Sequence, residues 1–291
     1  MGQPENLFTP KEFSYWDGAL KELLRLQPAY GFRGQANAGW MVESSLRRAS
    51  THLPPSSMES DLLRAFQGGA RRFLPEPPPE DDTLSWLALM QHHGVPTRLV
   101  DWTLSPYVAA YFAAEQEDRN AEQIAIYAID FAYLRDVAGW LLKTDQKVEK
   151  VGHQIRLGDP ELFVHLLVEK RMSVVAPIQS LRSNERQTYQ KGVFLCPGSL
   201  EVSFEDNLQA MVRDHPPKNA RRMVRILLPP TEREKMLKSL DLMNINRATL
   251  FPGLDGFSQN LRKKLELLNS PSRLRTDDYG KSGFYAEFGR F

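Results

Sequence analysis

The sequence predicts an α+β fold, and three observations carry that prediction. Gln123–Asp130, Gly192–Cys196 and Met223–Leu228 are continuous apolar runs of strand length, too short for helices. Between them lie segments whose apolar residues recur at helical spacing, as in Phe13, Trp16, Leu20, Leu23 and Leu24. With 291 residues, 42% apolar and 25% charged, the chain can bury a sizeable core and has ordinary globular composition.

The net charge of +1 excludes a global pull toward nucleic acid or anionic membrane. A nucleic-acid partner needs a local patch; Arg47-Arg48, Arg71-Arg72 and Lys218–Arg225 are either such patches or solvated faces. The single cysteine, Cys196, excludes an internal disulfide framework and a cysteine-based zinc site, and fits a reducing cytoplasm. Met1–Pro10 lacks the apolar core of a signal peptide and no apolar run reaches membrane-spanning length, so a cytoplasmic chain without a membrane partner is expected.

Taken in order, Thr9-Pro10-x-Glu12 reads as a capping box opening a helix over 9–27. Tyr30–Gln35 is a short strand with glycines on both sides of Phe32-Arg33, which leaves Arg33 either beside exposed backbone in a cleft or at the surface of a strand end. Residues 36–50 read as loop, anchored by Trp40 and Leu46, and Met58–Phe73 as a helix weakened by Gly68-Gly69. The acidic connector Pro75–Asp82 leads to a helix capped by Asp82 or Thr83 and stopped by Gly94. Thr97–Trp102 is a strand, after which Ser105-Pro106 supplies the cap and first residue of the next helix. The free N–H groups of that helix start suit an anion or need only their cap.

Further along, Phe131–Leu142 and Glu161–Met172 are helical, with His165 packed or at the surface of the second, and Lys143–Gly158 is a polar loop. Ser173–Ala176, Gly192–Cys196 and Met223–Leu228 are strands; Thr231-x-x-Glu234 is a second capping box, and Asp255 caps a last helix. Residues 1–270 are expected to form one domain and 271–291 an aromatic-bearing tail.

The stretch Leu84–Ala114 stands out, because two almost wholly apolar segments flank the polar insert HHGVPTRLVDWT. Arg98 and Asp101, so near the core, must be paired or in use, and pairing with each other is the simplest expectation. No Walker loop, dinucleotide GxGxxG or G-x-S-x-G elbow occurs, and the adjacent His92-His93 cannot share a helical face as zinc ligands do. What remains is a cleft with Arg33 on one wall and the 92–105 segment on the other, suited to an anionic, planar-ringed ligand such as a nucleotide.

Phe32-Arg33-Gly34, followed by QHHGVPTRLVDWTLSPYVAAYFA, resembles the FRG domain, and the likeness continues through Tyr189–Phe194 and TLFPGLDG at 249–256, roughly residues 25–270. FRG domains are distantly similar to ADP-ribosyltransferases. The resemblance therefore implies a split β-sheet core with surrounding helices and NAD as substrate. By that analogy Arg33, with Gly34, orients NAD, while Trp102, Thr103 and Ser105 form the second element, Thr103 supporting Arg33. Trp102 or Tyr107 stacks on nicotinamide. The third element departs from the pattern: Tyr189-Gln190 stands where a catalytic glutamate is expected, and Glu185, Asp101 or Asp255 would have to supply the carboxylate. The implied function is an NAD-dependent ADP-ribosyltransferase, a toxin or anti-phage effector acting on a nucleic-acid or protein acceptor. NAD hydrolysis and a non-catalytic nucleotide- or partner-binding module are the alternatives.

Overall fold

The run QIAIYAID becomes the strand against which the others are laid, with all but its last residue buried. The computed structural model describes residues 7–143, 172–178, 185–214 and 222–268, together with Val164 and Val168. Its strands are β1 (Thr9–Glu12), β2 (Tyr30–Gln35), β3 (Val100–Thr103), β4 (Ile124–Asp130), β5 (Val175–Ile178), β6 (Gly192–Pro197) and β7 (Met223–Leu228). They form a seven-stranded mixed sheet in the order β1-β7-β4-β2-β3-β6-β5, so the fold is α+β as expected. Only β1 and β7 run parallel; the remaining neighbours are antiparallel.

The sheet has a narrow waist. β2 and β4 pair in register from Tyr30↔Asp130 to Gln35↔Ala125, but β2 meets β3 only at Phe32↔Thr103. On one face lies α5 (Pro106–Glu115), which is buried on nearly every side because PYVAAYFAAE carries no charge before its end. It lies so close to β2 that a Cβ on Gly34 would stand 1.9 Å from the Ala109 carbonyl oxygen and 2.5 Å from the Ala113 nitrogen. Only glycine fits there. On the other face a core including Trp102, Tyr127, Phe131 and Phe8 is built, with Phe8 edge-on to Tyr127 at 5.0 Å between ring centroids.

Several helix boundaries follow the local chemistry. α4 (Thr83–His92) is capped by the Asp82 carboxylate, which accepts the Ser85 N–H, and ends at Gly94 with φ +82°. Ser105 caps α5 by accepting the Val108 N–H, with Pro106 at the first helical position. α6 (Phe131–Lys143) follows β4 without a loop.

Other expectations are corrected. Thr9–Glu12 is strand β1 rather than a capping box, because pairing with Val224–Leu227 satisfies its backbone; α1 starts at Trp16 and ends at Arg25. Residues 36–50 are not all loop: Ser44 caps a short α2 (Ser45–Ala49), and Leu46 is a core anchor while Trp40 is exposed. α3 (Pro55–Ala70) starts earlier than expected, keeps Gly68-Gly69 within it, and passes into a 3₁₀ turn, Arg71–Phe73. Thr231-x-x-Glu234 does not form a box; a 3₁₀ turn, Pro230–Glu232, precedes α9 (Arg233–Leu242), which has no side-chain cap. α7 (Glu185–Tyr189) and α8 (Phe204–Asp214) complete the described helices up to Ile245.

The chain divides into two compact units at Ile245/Asn246. In the second, Asn246 and Thr249 form a reciprocal cap on α10 (Arg247–Leu250), followed by α11 (Leu254–Leu268). Asp255 lies inside the first turn of α11 rather than capping it. The expected helix 161–172 with His165, apart from Val164, Val168 and Met172, lies outside the described residues. So do the loop 144–158, residues 179–184, 215–221 and the tail 269–291. Among the described residues no helix is long and apolar enough to cross a membrane.

Candidate functional site

Beyond the Phe32↔Thr103 bridge the antiparallel register would continue with Arg33↔Trp102 and Gly34↔Asp101, and no pairing forms at either. The Asp101 carbonyl instead accepts a hydrogen bond from Arg33 Nη1 at 2.7 Å. The parting strands border a cleft of about 180 Å³ that also takes in Glu43, Ser45 and Arg48 from around α2 and Gln91 from the end of α4.

Its polar groups can be accounted for one by one. The Ser45 hydroxyl accepts the Thr97 N–H at 3.1 Å and donates to the Thr97 carbonyl at 3.3 Å. Glu43 Oε1 accepts the Ser44 N–H at 2.8 Å, and Oε2 accepts the Phe204 N–H at 3.1 Å and faces Arg47 Nε at 3.3 Å. Gln91 Oε1 accepts the Thr97 hydroxyl proton, and Arg48 Nη1 donates to the Glu43 carbonyl. What is left over is nearly all donor. Arg33 Nε is buried and makes no hydrogen bond among the described residues, and Nη2, which is not buried, makes none there either. Arg48 Nε and Nη2 and the Gln91 amide nitrogen make no hydrogen bond among the described residues. Among the described residues the Asp101 carboxylate, on an exposed residue, makes no hydrogen bond or ion pair. Burial lowers the Arg33 pKa, Asp101 opposes that shift and the like charge of Arg48 adds to it. A guanidinium nevertheless stays charged at neutral pH.

The other residues singled out in the sequence form a second set. Thr103 shares a sheet face with its partner Phe32, opposite Arg33 on the alternating strand. Its buried hydroxyl donates to the Gln190 carbonyl at 2.6 Å and accepts the Ser105 N–H at 3.0 Å. This ties β3, the start of α5 and the turn before β6 together; it does not reach Arg33. Ser105 is occupied as a cap and Gly34 by the approach of α5. Trp102 is buried, with Phe131 at 6.4 Å between ring centroids, and its indole N–H lacks a partner. Tyr107 is half-buried in the first turn of α5, Tyr189 and Glu185 are exposed, and Gln190 is half-buried; none of the four lines the cleft.

Arg98 does not pair with Asp101. Its guanidinium meets Glu59 of α3, with Nε 2.8 Å from both carboxylate oxygens, and the two side chains are 3% and 7% exposed. A buried Arg98 requires a carboxylate, and Asp101 is the nearest one along the chain. Glu59 looked like one more surface charge on an amphipathic helix, and Glu43, Arg48 and Gln91 carried no motif that set them apart. His92 and His93 stand edge-to-face at 4.9 Å between ring centroids, and burial, then His93 and Arg186, hold the His92 pKa below its ordinary value. Among the described residues no His, Cys, Asp or Glu cluster has metal-binding geometry.

No curated protein and no solved structure matches the chain. The family model of the FRG domain does, taking in Phe32-Arg33-Gly34 and the whole polar insert with α5, and stopping before Tyr189–Phe194 and 249–256. The match runs over residues 28–122, from β2 through α5.

Proposed function

We propose that the chain is an NAD-consuming ADP-ribosyltransferase whose reaction centre is the Arg33–Asp101 cleft. The observation that carries this reading is the pairing of opposite chemistries in one opening. An arginine whose accessible Nη2 has no partner among the described residues lines the same cleft as a carboxylate that makes no hydrogen bond or ion pair among them. The first suits the phosphates of a dinucleotide. The second suits the ribose carbon that becomes positively charged as the bond to nicotinamide breaks. In that step nicotinamide leaves with the bonding electron pair and the acceptor's nucleophile forms the new bond to the ribose. Asp101 therefore takes the role for which Gln190 and Glu185 were candidates. The resemblance implies a split β-sheet with an arginine on its first strand, and this reading takes the lone Phe32↔Thr103 bridge as the split.

Nicotinamide release in the presence of a cell extract tests the proposal. Wild type should release nicotinamide and label a macromolecule from radiolabelled NAD. Asp101→Asn should lose about 10²–10³-fold in kcat. Free ADP-ribose without labelled macromolecule would point to hydrolysis instead, and no nicotinamide at all would overturn the enzyme reading. One observation favours a second reading, binding without turnover: the Thr103 hydroxyl spends its only proton on the Gln190 carbonyl and a lone pair on the Ser105 N–H, so it has no proton to donate to a substrate.

A further inference from the structure

We infer that Arg48 and Gln91 complete, with Arg33, a three-armed grip for a diphosphate, so that the cleft selects nucleoside diphosphates and their esters over nucleosides. This rests on the proposed cleft but not on turnover. The inference follows from the surplus of donors. Ser45 and Glu43 spend their capacity on backbone groups and Arg47, whereas Arg33, Arg48 and Gln91 keep N–H groups unspent around one opening. Arg33 and Arg48 are close enough to repel, and of the two carboxylates on the cleft Glu43 is balanced by Arg47 at 3.3 Å, which leaves Asp101 alone against the two guanidiniums. A ligand rich in acceptors and carrying more than one negative charge satisfies all three arms.

Size decides how much of the ligand fits. At about 180 Å³ the cleft is smaller than the roughly 300–1,000 Å³ of sites that enclose a drug-sized ligand. It holds a diphosphate and leaves an attached nucleoside over the mouth, where exposed Arg48 is placed as the outer arm. Arg33, half-buried and fixed to the Asp101 carbonyl, is the inner arm.

Calorimetric titration of the full chain with ADP, ADP-ribose, inorganic pyrophosphate, AMP and adenosine tests this. ADP and ADP-ribose should bind well above AMP, and adenosine should not bind measurably. Arg48→Gln, with its melting temperature compared with wild type to separate folding from binding, should weaken ADP-ribose roughly ten- to hundred-fold. Arg48→Lys should fall between, keeping the charge without the fork, and Gln91→Leu should weaken ADP about five-fold. Adenosine binding as tightly as ADP, or Arg48→Gln within two-fold of wild type, overturns the inference. The two readings fail separately. Arg48-dependent ADP binding without nicotinamide release removes the transferase and keeps the grip; nicotinamide release with an unchanged KM for NAD in Arg48→Gln does the reverse.

Discussion

Replacing Glu59 by glutamine should be among the most damaging single changes in the first unit, although nothing near Glu59 is catalytic. The change keeps size and shape but removes the charge that balances Arg98, a guanidinium 3% exposed beneath α3. Removing one partner of a buried pair costs about 3–5 kcal/mol, because the other charge stays desolvated. For a body of some 245 residues, each kcal/mol moves the melting temperature by about 2–4 °C, so a drop of about 6–20 °C is expected. Cys196, which neighbours Arg98, cannot take over as the anion, since burial pushes its thiol up to about 12 despite the opposing charge of Arg98. The double variant Glu59→Leu with Arg98→Met removes both charges and should recover to within about 1 kcal/mol of wild type or exceed it. Urea unfolding followed by tryptophan fluorescence closes the cycle. A loss below about 1 kcal/mol in Glu59→Gln, or a double variant no better than the sum of the singles, would refute the account of this pair.

Three further outcomes are expected. Gly34→Ala must push a Cβ into backbone of α5 at 1.9 Å, and should lower stability by about 1–3 kcal/mol or more in the same assay. Thr103→Val removes the hydrogen bonds to the Gln190 carbonyl and from the Ser105 N–H and should cost about 2 kcal/mol, whereas Thr103→Ser keeps both bonds and should cost little. The His92 pKa is lowered in the fold by burial, then by His93 and Arg186, from an ordinary value of 6.5. The neutral ring's contribution is therefore intact above about pH 6.5 and lost as pH falls through the folded value. Melting curves across that range should show His92→Gln gaining on wild type as acid is added; a constant gap would show that His92 does not titrate in the fold.

What the sequence made legible follows the range of the forces involved. Caps, stops and apolar runs act over a few residues, so Asp82, Gly94, Ser105-Pro106 and the strand Met223–Leu228 could be read directly. Thr9–Glu12 misled for the same reason: its capping pattern is local, and a parallel partner more than two hundred residues away outcompetes it. α8 was readable and missed, since Ser203 bonds Asp206 at its start and Phe204, Leu208 and Met211 form a helical stripe. Within the site, Arg33 and Asp101 carried signals because glycines and a buried insert surround them. Arg48, Gln91 and Glu59 did not, because only the fold brings positions 33, 48, 91 and 101, or 59 and 98, together.

The tripeptide that names the domain shows how site and scaffold share three consecutive residues. Alternation along β2 sends Phe32 and Gly34 toward α5 and Arg33 the other way. Phe32, fully buried, carries the only bridge between the two parts of the sheet. Gly34 lets α5 come close enough to close that face, which makes it a packing residue rather than a ligand contact. Arg33 then sits where pairing stops, and its side chain supplies the hydrogen bond that the next residue of β2 would otherwise give to Asp101. A lysine there would keep the charge but not the geometry, because its ammonium on a flexible stem lacks the planar fork that holds the Asp101 carbonyl with one N–H while aiming another in a fixed direction. Arg33→Lys should therefore weaken ADP binding and loosen the waist together, whereas Arg48→Gln should weaken binding alone. Hydrogen exchange at the amides of β2 and β3 separates the two effects, and protection unchanged in Arg33→Lys would show that the arginine serves only the ligand.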